Sequence, residues 1–447
     1  MSKTIIRNAT LINEGKRIET DILIEDGRIE KIEAQISVQG AYNQVDLEGD
    51  FLLPGVIDDQ VHFREPGLTH KAQIATESRA ALKGGVTSFM EMPNVIPQTV
   101  SLAALEEKYA RGAADSAVNY SFYLGATNEN IEEVKRVSTT DVCGVKIFMG
   151  SSTGNMLVDK PAALEAIFSN SPTLVAVHCE CEDRVKERTK AALAAYGVEV
   201  PPKEHAIIRD DLACYLSSSQ AVELAKKYGT RLHILHLTSA LELDLFRNDI
   251  ALRDKRITAE VCVHHLHFSD ADYQRLGFLI KCNPAIKTEK DRLALWKALL
   301  DNRLDVIATD HAPHTWEEKN TRDYTQAPSG LPLVQHSLPL MLEHAAQGDI
   351  SMERVVEKMS HAVADCYRMV DRGYLREGYW ADLVQVGSRR SRVERNQLEY
   401  KCAWSPLEGM EFRHSIERVW VNGLLGYSDG QIDPSCRGQR LMFEAQR

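Results

Sequence analysis

Eight short apolar stretches, each followed by a segment with helical periodicity, fill the middle of the chain and constrain its fold more than any other feature. They occupy residues 56–63, 86–92, 120–125, 142–149, 174–179, 231–237, 257–264 and 304–309. Strand–helix alternation of this kind indicates parallel strands joined by right-handed crossovers, and eight such repeats close a barrel. We therefore predict an α/β protein in which residues 54–366 form a (β/α)8 barrel of the TIM type.

The two ends of the chain follow a different pattern. Residues 1–53 and 367–447 contain short segments in which apolar and polar residues alternate, as in strands with one buried face. Asp26-Gly27 is a hairpin signal in the first of these ends. Because strand-rich segments bracket the barrel, we predict that residues 1–53 and 367–447 pair into one small β-sandwich domain.

The charge balance narrows the range of partners. The chain has 53 Lys and Arg against 64 Asp and Glu, a formal net charge of -11, which disfavours nucleic acid and anionic membranes and leaves a small-molecule substrate. No secretory signal and no membrane-spanning apolar stretch are visible in the sequence. The nine cysteines form no disulfide framework and no Cys-x-x-Cys motif, so we expect a reducing, cytoplasmic location. Cys179 and Cys181 are interpreted as small residues near the barrel rim.

Polar side chains recur where the predicted strands end, which is where barrel enzymes place their catalytic groups. They are Gln60, His62, Arg64, Asn94, Lys146, His178, His236, His264, His265, Asp310, His311 and His314. One histidine at a strand end is usually a hydrogen-bonded structural residue, and we interpret His233 in that way. The joint pattern is more specific, because catalytic zinc takes imidazole nitrogen and carboxylate oxygen and leaves a position for water.

Six motifs, in order along the chain, resemble those of the amidohydrolase superfamily and, within it, the dihydroorotases. They are PGVIDDQVHFREPGLTHK, GGVTSFMEMPN, VKIFMGSSTGN, ILHLTS, TDHAPHTWEEK and GYLREGYWADLV. HFREPG followed by MPN is the pairing that points to dihydroorotases within the superfamily. The resemblance covers nearly the whole chain and implies reversible zinc-dependent hydrolysis of the cyclic amide of dihydroorotate to N-carbamoyl-aspartate. The reverse direction closes the ring in pyrimidine biosynthesis.

The resemblance also implies residue roles. One or two Zn²⁺ ions per subunit would be held by His62, Lys146, His178, His236 and Asp310, with Lys146 converted by CO₂ to N6-carboxylysine. Asp310 would act as general base and then as general acid. The substrate-binding residues would be Arg64, Asn94, Asn283, His314, Ser329 and Gly330, with the planar guanidinium suited to the substrate carboxylate.

One departure from the family pattern leaves the metal number open. Gln60 stands where relatives carry the first histidine of a His-x-His pair, and a neutral amide oxygen is a weaker zinc ligand than imidazole. The site nearest Gln60 could hold metal weakly or stay empty, or the chain could be a non-catalytic scaffold. Residues 329–336, SGLPLVQH, also differ from the Gly-Leu-Glu segment of many relatives, which predicts a local change in the substrate loop.

A second set of alternatives concerns the substrate and the assembly. A sister cyclic amidohydrolase, such as a hydantoinase, dihydropyrimidinase or allantoinase, is the other enzymatic interpretation. The substrates of those enzymes lack the ring carboxylate, so Arg64 beside Asn94 is the discriminating feature. Residues 316–326 form either a lid or a static loop, and the sequence is compatible with a homodimer.

Overall fold

Eight parallel strands form a closed barrel in the computed structural model, which describes residues 3–150 and 156–445. In chain order the barrel strands are Val56–Val61, Val86–Glu91, Asn119–Phe122 continued by Leu124–Gly125, Val145–Phe148, Val175–His178, Leu232–Ile234, Ile257–Cys262 and Val306–Ala308. Each strand pairs in parallel with its neighbour. A parallel bridge between Val61 and His311 closes the ring. The predicted fold class is confirmed.

Helices surround the barrel and cover its apolar wall. The α-helices are Ile74–Lys83, Leu102–Asp115, Ile131–Lys135, Pro161–Asn170, Glu182–Tyr196, Glu204–Ile208, Asp211–Tyr228, Val263–His267, Tyr273–Leu276, Glu289–Leu300, Trp316–Lys319, Ser337–Gln347, Met352–Val356 and Ala362–Tyr367. Short 3-10 turns lie at Ala240–Leu245, Leu252–Asp254, Asp270–Asp272, Gly277–Ile280, Val334–His336 and Arg395–Gln397, and a π-helical turn lies at Glu357–His361. Every residue of most barrel strands is buried, as parallel strands covered on both faces require.

The two ends of the chain share one sheet of nine strands. These strands are Lys3–Asn13, Lys16–Glu25, Arg28–Glu33, Asn43–Asp46, Phe51–Pro54, Leu383–Gly387, Ser415–Val421, Leu424–Ser428 and Gln431–Ile432. Phe51–Pro54 pairs antiparallel with Leu383–Gly387 and joins the N-terminal part to the C-terminal part. Hydrogen bonds thus run through one continuous sheet, while a smaller ribbon joins Ser391–Arg392 to Glu411–Phe412.

The seventh barrel strand is shorter than its apolar pattern predicts. The sequence favours a strand over 257–264, but the strand ends at Cys262 and a helical turn, Val263–His267, follows at once. That extension was wrong, because Val263 continues the apolar run although the backbone has already turned. The predicted motif residues 151–155 lie outside the described residues.

Two expectations about the chain as a whole can be compared with the structure. All nine cysteines are free thiols, and Cys179 is buried while Cys181 is half-buried. Among the helices in the described ranges, none has the length and apolarity needed to cross a membrane.

Candidate active site

A cavity of about 490 Å³ opens at the C-terminal ends of the barrel strands. The predicted residues that line it are Gln60, His62, Arg64, Asn94, Lys146, His178, His236, Asn283, Asp310, His314 and Ser329. These side chains come from segments far apart in sequence and meet at one rim, because all parallel strands of a barrel end on the same side.

Left-handed backbone marks three of these positions. Arg64, His236 and Asp310 have φ values of 68°, 40° and 46°. Non-glycine residues in this region cost on the order of 1–3 kcal/mol each and concentrate at functional sites. At His236 and Asp310 this conformation follows the end of a barrel strand.

Asp310 lies at the centre of a group from the first and eighth strands. Its Oδ1 lies 3.0 Å from His62 Nε2 and accepts a hydrogen bond from Gln60 Nε2 at 3.2 Å. His62 Nδ1 lies 2.8 Å from Asn94 Oδ1. With Nδ1–H donated to Asn94, His62 Nε2 is a lone pair facing a carboxylate oxygen. In that tautomer a cation between the two atoms would satisfy both, whereas the other tautomer forms an Nε2–H···Oδ1 hydrogen bond.

Lys146 is a buried amine without a hydrogen-bond partner. Its side chain is 1 % exposed, and Nζ has no hydrogen-bond partner among the described residues. Nζ lies over the ring of Phe148, 4.5 Å from the centroid. Burial in this apolar strand lowers the pKa of Lys146 to about 7, so the neutral amine is accessible at physiological pH.

His178 and His236, which follow the fifth and sixth strands, form a second pair of side chains able to bind a metal. His178 Nδ1 and His236 Nε2 are 3.0 Å apart, with the two rings nearly perpendicular. Burial lowers the pKa of both imidazoles, with the charges of neighbouring groups adding to the shift at His236. Both rings therefore stay neutral near pH 7, which is the form that binds metals.

His178 is supported from outside the cavity by a charged pair. Its Nε2 lies 3.0 Å from Glu180 Oε2, and Arg209 donates to the same carboxylate oxygen at 2.5 Å. Burial alone would raise the pKa of Glu180, but the charge of Arg209 and the hydrogen bond with His178 lower it to about 2. Glu180 is thus an anion throughout the physiological range.

Arg64 forms the opposite side of the cavity. Its Nε donates to the carbonyl oxygen of Pro313 at 3.1 Å, and its Nη2 lies 3.0 Å from His314 Nε2. Burial lowers the pKa of the guanidinium to about 10, so it remains charged. Lys71 Nζ lies 3.0 Å from His314 Nδ1 and 2.8 Å from Glu318, which fixes the imidazole between two cations.

The remaining substrate-side predictions lie beside Arg64. Ser329 offers its carbonyl oxygen 3.1 Å from His314 Nε2. Gly330, at φ +138°, allows a close approach, since a Cβ there would lie 2.4 Å from the Ala312 carbonyl oxygen. Asn283 lines the cavity, and its Oδ1 has no hydrogen-bond partner among the described residues.

Four charged residues at the site were not predicted from the sequence. Lys71, Glu182 and Arg209 line the cavity, and Glu180 contacts His178 from behind. Glu180 carried a usable signal, since it lies two residues after a strand-end histidine. Lys71 and Arg209 lie in connections, where sequence alone gives no position in space.

Several other polar residues lie behind the cavity. His233 is fully buried, with Nε2 at 3.2 Å from Asp59 and 3.3 Å from Glu260. His311 pairs with Glu77 at 2.8 Å. His264 and His265 group with Cys262, their donor atoms all within 4.8 Å, but neither histidine lines the cavity. These positions explain why a histidine at a strand end is insufficient evidence of catalysis.

The 316–326 segment is tied to its surroundings. It begins with the short helix Trp316–Lys319, capped by Thr315. Lys319 is buried and donates to the carbonyl oxygens of Lys281 and Pro328, and Arg395 stacks on the ring of Trp316.

Comparison with known proteins places this geometry in a family. The chain matches the model described as "Amidohydrolase family" over residues 51–425. The chain belongs to the amidohydrolase family. This amidohydrolase is 35% identical over 409 residues to a dihydroorotase of Halobacterium salinarum, covering 88% of this chain and 92% of that one. It is also 31% identical to an allantoinase of Solibacter usitatus, covering 100% and 98% of the two chains.

A solved relative has the same fold throughout. The L-hydantoinase (dihydropyrimidinase) from Arthrobacter aurescens superposes with a TM-score of 0.92 at 26% identity, covering 99% of this amidohydrolase and 100% of that chain. The fold is therefore shared with a protein named as a hydantoinase, while the sequence relatives carry the names dihydroorotase and allantoinase. Because the fold does not determine the substrate, the substrate must be argued from the cavity.

Proposed function

We propose that this amidohydrolase is a dihydroorotase that interconverts dihydroorotate and N-carbamoyl-aspartate. The observation that carries the proposal is the charge of Arg64. The hydrogen-bond partners of its guanidinium in the cavity wall are a carbonyl oxygen and an imidazole, neither of which carries a negative charge. The carboxylates of Asp310, Glu91 and Glu318 stabilise this charge from a distance, without a direct ion pair to Arg64 among the described residues. A buried cation without a direct anionic partner is costly, and a substrate carboxylate would supply that partner through charge-assisted hydrogen bonds.

The donor set fits a divalent metal. His62 Nε2 and Asp310 Oδ1 face each other at 3.0 Å, and so do His178 Nδ1 and His236 Nε2. Lys146 Nζ lacks a hydrogen-bond partner and lines the same cavity. These residues would hold one or two Zn²⁺ ions, with Lys146 as N6-carboxylysine. Carboxylation would give Lys146 an anionic oxygen ligand, which the unmodified amine does not offer.

The role of Gln60 differs from that of the histidine it replaces. Its Nε2 donates to Asp310 at 3.2 Å, and the Sγ of Cys262 lies 3.9 Å from its Oε1. In this orientation the amide holds the carboxylate in place. The ligand set nearest the first strand therefore consists of His62, Lys146 and Asp310, and the Gln60 amide contributes by orienting Asp310.

The proposed chemistry divides between the metal and the chain. Bound zinc would supply an activated water and polarise the ring amide carbonyl. Asp310 would accept the proton of that water and return it to the ring nitrogen as the C–N bond breaks. Arg64 and Asn94 would hold the ring carboxylate, and Asn283 and the backbone at Ser329 and Gly330 would orient the ring. In the reverse direction the same groups close the ring with loss of water.

A substrate panel tests the proposal. Zinc-loaded protein should hydrolyse dihydroorotate and cyclise N-carbamoyl-aspartate, and it should act poorly on hydantoin, dihydrouracil and allantoin, which lack the ring carboxylate. Arg64→Gln should lower kcat/KM for dihydroorotate about 10- to 100-fold, since a hydrogen bond to a charged group contributes about 1.5–3 kcal/mol. Efficient turnover of hydantoin or allantoin with no turnover of dihydroorotate would overturn the proposal.

A further inference from the structure

Glu180 occupies a position that the proposed chemistry does not use. Its carboxylate is fully buried, and one oxygen contacts both His178 Nε2 and Arg209 Nη1. Its other oxygen has no hydrogen-bond partner among the described residues. Burying such a charged pair carries a desolvation cost that the attraction between the two ions must offset. A costly ion pair directly behind a cavity histidine suggests a role in that histidine's chemistry.

The backbone leaves Glu180 little freedom to move. A Cβ at Gly150, two residues after the fourth strand, would lie 2.1 Å from the Glu180 carbonyl oxygen. The next residue, Cys181, donates its backbone N–H to Ala213 at 2.8 Å. Arg209 follows the short helix Glu204–Ile208 and is held by a backbone hydrogen bond to His205 at 3.0 Å. Three separate segments therefore fix the distance between Arg209, Glu180 and His178.

The contact also selects the tautomer of His178. A carboxylate accepts hydrogen bonds and does not donate them, so Nε2 of His178 must carry the proton. Nδ1 is then a lone pair, and it is the atom that lies 3.0 Å from His236 Nε2 inside the cavity. Without the carboxylate, the ring would exchange between tautomers and lose one of the two contacts that fix its orientation.

We propose that Glu180, held by Arg209, is the positioning residue that makes His178 a competent metal ligand through Nδ1. The inference rests on the metal site of the proposed function, but not on its substrate. A carboxylate behind a ligating histidine raises the basicity of the ring and fixes its direction, and loss of such a partner typically costs about 10- to 100-fold in metal affinity.

Zinc affinity, measured without substrate, tests the inference. Competition with a chromophoric chelator should show about a 10- to 100-fold weaker site in Glu180→Ala, and a smaller loss in Glu180→Gln, whose amide oxygen can still accept from Nε2. Asp183→Asn is the matched control, because it removes an exposed carboxylate three residues away and should leave affinity unchanged. Cobalt(II)-loaded Glu180→Ala should also show a changed visible spectrum, which a purely structural pair would not produce.

The outcomes separate this inference from the proposed function. Unchanged zinc affinity and an unchanged cobalt spectrum in Glu180→Ala would overturn the positioning role. If Glu180→Ala fails to fold, zinc affinity is measured in Arg209→Gln instead. Weaker zinc binding than in wild type supports the inference, and an affinity equal to that of wild type overturns it. Protein that binds zinc in a Glu180-dependent way but does not act on dihydroorotate would refute the proposed function alone. Failure of wild-type protein to bind zinc would refute both.

Discussion

Lys146 should destabilise the metal-free protein, so metal-free Lys146→Met should be more stable than metal-free wild type. The amine is 1 % exposed, without a hydrogen-bond partner among the described residues, and an unsatisfied buried donor costs about 1–3 kcal/mol. The lowering of its pKa from 10.5 to about 7 sets an upper value of about 5 kcal/mol, at 1.4 kcal/mol per pH unit. Methionine has a similar length and no polar atom. We therefore expect the variant to gain about 1–5 kcal/mol in free energy of unfolding while losing zinc binding and activity.

The stability difference between Lys146→Met and wild type should depend on pH. Because the folded-state pKa of Lys146 is depressed, the unfolded chain binds more protons between about pH 7 and 10.5, and wild-type stability rises with pH in that interval. The advantage of Lys146→Met should therefore be largest at pH 7 and below, and near pH 10.5 it should fall to the cost of the unsatisfied neutral amine, about 1–3 kcal/mol. Urea unfolding of chelator-treated protein, followed by tryptophan fluorescence, measures this difference.

Lys358→Met is the matched control. Lys358 is also buried, but its Nζ donates to the carbonyl oxygens of Leu304 at 2.8 Å and Asp305 at 3.1 Å. Burial also lowers the pKa of Lys358, to about 8, but its replacement leaves two acceptors unsatisfied at a cost of about 1–3 kcal/mol. Lys358→Met should therefore gain clearly less stability at pH 7 than Lys146→Met. If metal-free Lys146→Met proved less stable than wild type at pH 7, the account of Lys146 as an uncompensated buried amine would be refuted.

Three further changes have defined outcomes. Gln60→His should strengthen zinc binding, measured by chelator competition, and an unchanged affinity and stoichiometry would show that position 60 does not face the metal. Gly330→Ala should raise KM and lower stability by about 1–3 kcal/mol, because its Cβ would lie 2.4 Å from a carbonyl oxygen at φ +138°. Gly348→Ala is the control: nothing lies within 4 Å of its Cβ, so it should cost about 1–2 kcal/mol through its positive φ and leave KM unaltered. Burial lowers the pKa of His336 to about 3, so wild-type stability should fall as pH drops below about 6.5, by up to 1.4 kcal/mol per pH unit. In urea titrations at several pH values, His336→Leu should show a smaller dependence of stability on pH. An equal pH dependence in the two proteins would contradict a neutral buried ring.

The barrel could be predicted because its signal is local and repeated. Each strand is a short apolar run, and eight such runs leave few topologies. The same regularity explains why the cavity residues Lys146, His178, His236 and Asp310 lie close together. All barrel strands run in the same direction, so residues near their C-terminal ends lie on the same rim. The end of the seventh strand could not be read in this way, since Val263 is as apolar in a helix as in a strand.

The missed residues depend on the path of the connections. Arg209 comes from the long segment between the fifth and sixth strands, and Lys71 from the turn after the first. Their side chains reach the cavity only after the loops pack, so no periodicity marks them. Ion pairs such as Arg209–Glu180 form only in the tertiary structure, and a single sequence does not indicate which charged side chains will pair.

The pairing of Phe51–Pro54 with Leu383–Gly387 has a consequence for biosynthesis. More than 300 residues separate these two strands, and a ribosome adds roughly 5–20 residues per second. The N-terminal strands are therefore made long before their partner emerges and present an unpaired edge, the kind of surface on which chains aggregate. The nascent chain should depend on chaperones for that interval, and a shortened C-terminus should yield insoluble protein even though every residue of the cavity rim is still encoded.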